Sequence, residues 1–303
     1  MGDLIDVVVV TYNRLALLKE CLRSLQLQRE NLSRIFVIDN HSTDGTTAYL
    51  SNLDEPLIKA TTLSDNIGGA AGFEYGVNQA AVEGHGKYIW IMDDDTIPSV
   101  EASSVLLKKA KLLKNEFGFL CSNVRWTDGT STNIAHVTKD WPDKVNAGLV
   151  GVVSATFVSV LVPKENIKHQ GLPLGKMEIW GDDTEYTTRM SSYKASYFVI
   201  DSIVVHKTTY NLMTDNLKTI QADRIGRFKA MYRNLIYINR QYLSKKSVLK
   251  MALANIVTGL SVLSAKDHRL TRLGAVFLGT WNGFFFNPDI NFPTKKDTKK
   301  IEV

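Results

Sequence analysis

Three consecutive carboxylates, Asp93-Asp94-Asp95, follow directly on an apolar run of strand character, Tyr88 to Met92, and Pro98 soon ends the stretch. Asp is a poor strand former and neighbouring carboxylates repel, so the run costs free energy unless a cation sits against it. A solvated loop tip is the plain alternative, but Tyr-Ile-Trp-Ile-Met provides no polar lead-in. The pattern therefore suggests a divalent cation, a hard ion that takes oxygen ligands. A second acidic cluster, Glu178-Ile179-Trp180-Gly181-Asp182-Asp183-Thr184-Glu185, reads on its own as a helix start, because Asp-x-x-Glu caps and charges a first turn. Beside the triplet it supplies something different: a carboxylate not spent on metal and free to act as general base. His206 ends the run Ser202 to Val205. Taken alone it is a structural or surface histidine; at a strand end shared with carboxylates, its imidazole suits a third ligand on a manganese-like ion.

Several elements must position these residues. Asp6 to Val10 reads as a strand, with Leu15, Leu18, Cys21, Leu22 and Leu25 at helical spacing after it. Arg34 to Asp39 repeats the strand, and Asn40 to Gly45 breaks it before a second helix. A third strand near Ala60 to Leu63 leads into Asn66-Ile67-Gly68-Gly69-Ala70-Ala71-Gly72 and a helix, and the fourth strand is the one that ends in the aspartates. A helix from about Ser99, a strand at Phe117 to Asn123, the β-branched run Val150 to Val162, a helix from Asp183 and a strand from Tyr197 continue the pattern. Alternation of this kind implies an α/β fold, a mainly parallel sheet with helices on both faces, and such sheets bind ligands at the carboxyl ends of their strands. Every polar cluster above falls at such an end.

The remaining motifs are weaker. Thr11-Tyr12-Asn13-Arg14 and Val37-Ile38-Asp39-Asn40 offer backbone amides and a carboxylate that could hold a nucleoside, although either alone is also an N-cap or a turn. The glycines at 68, 69 and 72 permit close approach of backbone to a ligand. They form neither Gly-x-Gly-x-x-Gly nor a P-loop, which disfavours NAD-type and Walker-type binding.

Composition narrows the class. With 303 residues, 44% hydrophobic and 22% charged, the chain is globular and long enough for a well-buried core. Two cysteines, Cys21 and Cys121, make no disulfide framework and fit a reducing compartment. The N-terminus lacks the pattern of a signal peptide, and Asp6 stands where a myristoylation motif needs Ser or Thr, so a cytoplasmic location is expected. Residues 203 to 303 carry 17 Lys and Arg against 6 Asp and Glu, net +11, whereas residues 1 to 202 carry 19 against 25, net −6. The acidic part holds the candidate site.

Taken in order, Val7 to Arg14, Val37 to Gly45, Asn66 to Gly76, Asp93 to Pro98, Trp180 to Arg189 and His206 resemble an inverting nucleotide-sugar glycosyltransferase of family 2, with the GT-A fold. The resemblance implies roles. Asp93 and Asp95 match the family's Asp-x-Asp and, with His206, would hold Mn2+ or Mg2+. Thr11, Asn13, Arg14, Asp39, Asn66, Gly68, Gly69, Asp93 and Asp94 would bind the nucleotide-sugar. Asp183 would be the catalytic base with Asp182 in reserve, and Trp180 and Glu185 would touch the acceptor. Within the family, the glycine loop, Trp-Gly-Asp-Asp-Thr-Glu-Tyr and the late histidine look most like galactofuranosyl and rhamnosyl transferases of bacterial surface polysaccharide assembly, although Ala71 replaces the usual third glycine. A UDP-galactofuranose or dTDP-rhamnose donor and a glycan or lipid-linked acceptor follow as expectations.

These motifs assign residues 1–210 to a catalytic domain, 211–290 to a basic helical region and 291–303 to a charged tail. Residues 218 to 246 carry Lys and Arg among apolar residues at helical spacing, which predicts one amphipathic basic helix. Met251 to Leu263 and Leu273 to Phe286 are apolar but too short to span a bilayer. Peripheral contact with an anionic membrane on its inner face or a homodimer interface would each account for them. A nucleic-acid-binding protein is the competing reading of the basic third, but it leaves both acidic clusters unexplained. A sugar-nucleotide nucleotidyltransferase would need a basic Gly-rich loop after the first strand, which Thr11-Tyr12-Asn13-Arg14 does not supply.

Overall fold

The computed structural model describes residues 3–209 and 217–295. The first strand, β1 (Ile5–Thr11), is buried at every position, as a central parallel strand covered on both faces must be. It is flanked by α1 (Leu15–Gln26), β2 (Leu32–Asp39), α2 (Thr46–Ser51), β3 (Ile58–Thr62), α3 (Gly69–Glu83) and β4 (Tyr88–Asp93). The chain continues through β5 (Thr96–Pro98), α4 (Ala102–Leu112), β6 (Leu120–Trp126), β7 (His136–Val137), β8 (Leu149–Ser154), β9 (Val160–Pro163), α5 (Lys164–Gln170), α6 (Asp182–Tyr193) and β10 (Ser196–His206). Helices α7 (Ile225–Tyr242), α8 (Lys245–Ser261) and α9 (Arg269–Phe285) follow.

One sheet runs β3-β2-β1-β4-β9-β6-β10-β8-β7. Its first four strands are parallel; β9 is antiparallel to both β4 and β6, and β10 is parallel to β6. Two reversals restore the original direction, so β10 points the same way as β4. His206 therefore arrives at the same edge of the sheet as Asp93. The period of two along β1 splits the core: Val7 and Val9 pack with Leu18, Leu22 and Leu106 on one face, Val8 and Val10 with Phe73, Val77, Tyr186 and Met190 on the other. The run Val150 to Val162 is indeed core strand, broken into β8 and β9.

The basic helix expected over residues 218 to 246 is two helices. It breaks at Leu243-Ser244, where the Ser244 side chain accepts from Ser247 N and caps α8. α7 is packed against α9 and carries a buried row from Ile225 to Asn239. The judgement that no segment is long enough to span also needs correction. α8 begins six residues before Met251 and continues through a single 3₁₀ turn, so Lys245–Ser264 is, among the described residues, one helix apolar and long enough to cross a membrane by length and composition. Only 17% of that window is buried in the protein. Beyond α9 the chain returns to the sheet-and-helix part, where Asn78 of α3 exchanges two hydrogen bonds with the Thr294 backbone. The proposed boundary at 210 and most of the charged tail lie outside the described residues.

Candidate active site

Local structure explains why the triplet gathers its partners. β4 ends at Asp93, and the next residues turn straight into β5, which pairs antiparallel with the end of β10 and sets Thr96 opposite His206. Lys207 N donates to Asp95 O at 2.8 Å and locks the turn. One potential ligand atom each from Asp93, Asp95 and His206 falls within 4.8 Å of the others. His206 Nε2 lies 3.0 Å from Asp95 Oδ1, a buried oxygen that accepts no well-oriented hydrogen bond. Two carboxylates and one imidazole converging with an unsatisfied oxygen form a donor set that fits a hard or borderline divalent cation. Asn133 Oδ1 contacts the other ring nitrogen of His206 at 2.8 Å and orients the imidazole.

The electrostatics separate the three aspartates. Burial pushes Asp93 up to about 6, with repulsion from Asp95 adding to it and His206 and Arg14 opposing it. Asp94 is pushed up to about 7, again by burial, even though it accepts a hydrogen bond from Thr11 Oγ1 at 2.7 Å. Asp95 is held below the usual carboxylate range: burial works against ionisation, but His206 and Arg14 outweigh it. Arg14 donates to Asp95 and lies 3.6 Å from Asp94. His206 is correspondingly raised, the Asp95 partnership exceeding the cost of burial.

The acidic pair opens α6 without capping it. Gly181, in the left-handed region with φ +102°, is the N-cap, and Asp182 and Asp183 occupy the first turn. Burial raises both; Asp183 and Asp93 also repel Asp182, whereas hydrogen bonds led by those from Thr184 work against the rise at Asp183. Asp183 Oδ1 is fixed by Thr184 N at 2.6 Å. The turn before them meets the glycine loop, where Ala70 N donates to Glu178 O at 3.3 Å.

One cavity of about 850 Å³ joins these parts. Of the expected residues, Thr11, Arg14, Asn66, Gly68, Gly69, Asp93, Asp94, Asp95, Trp180, Asp182, Asp183 and His206 line it. Three others do not. Asp39 sits at the end of β2, but its oxygens accept from Ser42 N, Thr47 Oγ1 and Thr62 Oγ1, and Asn40 takes the place on the wall. Asn13 uses its Oδ1 on Thr43 N and borders a separate shallow groove with Asp44. Glu185, expected at the acceptor, is fully buried; Arg189 donates to both its oxygens and Tyr242 Oη donates to one of them, Oε1. The glycine loop also divides its labour. A Cβ on Gly69 would meet nothing, so that position is open, whereas one on Gly72 would lie 2.9 Å from Val10, so Gly72 serves helix-sheet packing. Sequence reasoning missed Asn40, Phe73, Asn133, Thr156 to Val158, Lys207, Arg224 and Arg227 on the wall. Asn40 lies in the Val37–Asn40 motif, which pointed instead to its neighbour Asp39; Asn133 and Thr156 sit in stretches with no local signal.

The description "Glycosyl transferase family 2" matches residues 6–157, half of the chain. No curated protein matches it. Among solved structures it is similar to GalNAc-T7 with UDP, GalNAc and Mn2+, at 14% identity and TM-score 0.62, over 89% of this chain and 54% of that one. It is also similar to TarS of S. aureus, at 15% identity and TM-score 0.54, over 93% of this chain and 54% of that one. The chain thus spans about half the length of each, and at these identities the likeness is one of fold.

Proposed function

Since the chain belongs to glycosyl transferase family 2 and has the GT-A fold, we propose that it moves a sugar from a nucleotide-sugar, UDP-galactofuranose before dTDP-rhamnose, to a hydroxyl of a growing surface polysaccharide, with inversion at the anomeric carbon. The observation that carries this reading is the single cavity in which the Asp93, Asp95 and His206 trio and the Asp182–Asp183 pair both stand. The trio would hold the divalent ion, Mn2+ by analogy with the manganese in the GalNAc-T7 structure or else Mg2+; when bound, such an ion neutralises negative charge on a diphosphate leaving group.

The chain's own residues do the rest. Asp183 accepts the proton of the acceptor hydroxyl as its oxygen bonds to the anomeric carbon from the face opposite the nucleotide. The bond from that carbon to the diphosphate oxygen breaks, and the electron pair leaves with the nucleoside diphosphate. Burial of Asp183 raises its basicity and so makes it a stronger proton acceptor than a solvated carboxylate. Thr11, Asn40 and the Asn66–Gly69 loop would hold the nucleoside and sugar, and Trp180 would offer a flat apolar face to the acceptor, a reading supported by their shared cavity.

The division into a catalytic part, residues 1–210, and a helical part, 211–290, belongs to the same proposal. A lipid-linked acceptor would bring the enzyme to the inner face of the membrane, and α8 and α9 support that reading. Val257, Leu260, Leu270, Trp281 and Phe285 all stand exposed, and the same stretch carries Lys245, Lys246 and Lys250 early in α8 and Lys266 and Arg269 where α9 begins. Exposed apolar side chains on helices that also carry cations suit the interface of an anionic bilayer. A homodimer would cover the same face.

A thermal-shift screen of UDP- and dTDP-sugars with and without Mn2+ tests the donor. A metal-dependent shift with one nucleotide class is the expected result; no shift with any nucleotide-sugar would remove the reading. The anomeric configuration of the product, read by NMR, decides between inversion and retention.

A further inference from the structure

We propose that Asn234, midway along α7, is a positioning residue for transfer, its side-chain amide holding the Met177–Gly181 turn in the shape that presents Trp180, Asp182 and Asp183 to the cavity. The inference rests on the reading of that cavity as the transfer site.

The turn is conformationally expensive. Glu178 and Trp180 have φ of +65° and +55°, and Gly181 follows at +102°. Left-handed backbone is strained for a residue with a Cβ, so two such residues in four persist only where the surroundings hold them. The holding group comes from another element. Asn234 is fully buried, and its Nδ2 donates to Met177 O at 2.9 Å and Trp180 O at 2.7 Å, with Ile179 O further away at 3.3 Å. An amide NH2 has two hydrogens, so the two short contacts use them both, and they fall on the two ends of the turn. Next to it, Arg233 reaches Lys176 O and Met177 O, each at 3.1 Å, and pairs with Glu178 Oε1 at 2.9 Å.

The fit is close as well as polar. A Cβ on Gly181 would lie 3.2 Å from Asn234 Cβ, and the Trp180 ring packs edge-on against Phe228 of α7 with centroids 5.2 Å apart. α6 begins at the next residue, Asp182, so the direction of its first turn follows from the way α7 grips the residues before it. An acceptor platform and a base are thereby set by a residue that lines neither the cavity nor the catalytic sheet.

The test compares Asn234→Ala with Asn239→Ala. Asn239 is also a buried asparagine on α7, but it bonds Leu235 O and Ser247 Oγ, tying α7 to α8 away from the turn. The readouts are the melting temperature, the Kd of UDP with Mn2+, and kcat and KM for transfer from UDP-galactofuranose to an octyl glycoside. Asn234→Ala is expected to lower kcat on the order of 10- to 100-fold and to raise the acceptor KM, with nucleotide Kd nearly unchanged. Asn239→Ala is expected to lose a similar melting temperature and keep its kcat. Asn234→Asp, of the same shape but with oxygen facing two carbonyls, should be at least as impaired as the alanine variant.

Normal kcat in Asn234→Ala, or an equal loss in Asn239→Ala, overturns the proposal. Should Asn234→Ala not fold, Asn234→Ser keeps a donor at the site and is read the same way. If neither is recovered folded while Asn239→Ala is, Asn234 is a determinant of folding and the proposal also fails. If Asp183→Asn keeps its rate while Asn234→Ala loses it, the base assignment falls and the positioning role of Asn234 stands.

Discussion

At the scale of single residues, the most consequential feature is that five carboxylates in one cavity do not behave alike. Asp95, beside His206 and Arg14, stays ionised; Asp93, Asp94, Asp182 and Asp183 are all raised by burial. For Asp183 as base, the deprotonated form is active. Turnover should therefore fall as pH drops through a pKa above the ordinary carboxylate range, and a pH profile of kcat locates that limb. Asp183→Asn should lose about 10²- to 10⁴-fold in kcat and show no such limb, while nucleotide affinity is kept. The sign for stability runs the other way. Acids whose folded pKa is raised stabilise the fold fully below their unfolded value, and that contribution is lost as pH climbs to about 6 for Asp93 and about 7 for Asp94. A cation held by the ionised Asp93 and Asp95 carboxylates and the neutral His206 imidazole would offset the loss, by about 2.7 kcal/mol at a hundredfold excess over its Kd. Mn2+ should accordingly raise the melting temperature more at pH 7.5 than at pH 5.5; an equal shift at both would mean that the ion does not bind these carboxylates.

Elements carry a second set of consequences. Gly76 faces the sheet so closely that a Cβ would lie 2.6 Å from Val8 and 2.9 Å from Ile38, both buried side chains. Gly76→Ala should cost about 1–3 kcal/mol through overpacking, read by urea unfolding, whereas Gly69→Ala, with open space around it, should leave stability near wild type and act on nucleotide binding. The periodicity of residues 15 to 25 and the β-branched runs showed the N-terminal elements in the sequence, because each packs locally and its pattern is complete within a dozen residues. The end of α7 was not legible in that way. Tyr242 closes onto Glu185, fifty-seven residues away, and no spacing rule connects two such positions. Tyr242→Phe removes that bond from a buried carboxylate still held by Arg189, and a loss of about 1–3 kcal/mol in unfolding free energy is expected with little change in nucleotide binding.

For the molecule as a whole, the separation of charge and the exposed helical hairpin belong together. The acidic part supplies the carboxylates of the cavity, the basic part adds His206, Lys207, Arg224 and Arg227 to its wall, and the chain goes on into helices with apolar side chains facing outward. If α8 and α9 meet an anionic bilayer, vesicles of phosphatidylglycerol and phosphatidylcholine should pellet the protein at low salt, vesicles of phosphatidylcholine alone much less, and Trp281→Ala with Phe285→Ala should weaken pelleting without lowering nucleotide affinity. A concentration-dependent dimer in light scattering, abolished by the same substitutions and with no pelleting, would assign the face to a second copy instead.

The amino-acid sequence by itself determined the strand-end chemistry: the aspartate triplet, the acidic pair and the late histidine are local motifs, and alternating strand and helix patterns already placed them along one edge of a sheet. It determined which residue types were available for metal, base and nucleoside. Only the tertiary structure decided which of them share a cavity. Asp39 and Glu185 look as reactive on paper as Asp93 and Asp183, yet neighbouring hydroxyls, an amide and a guanidinium occupy their oxygens. Burial and hydrogen-bond partners come from residues distant in the chain, and those partners settle whether a carboxylate faces the cavity or is part of the frame.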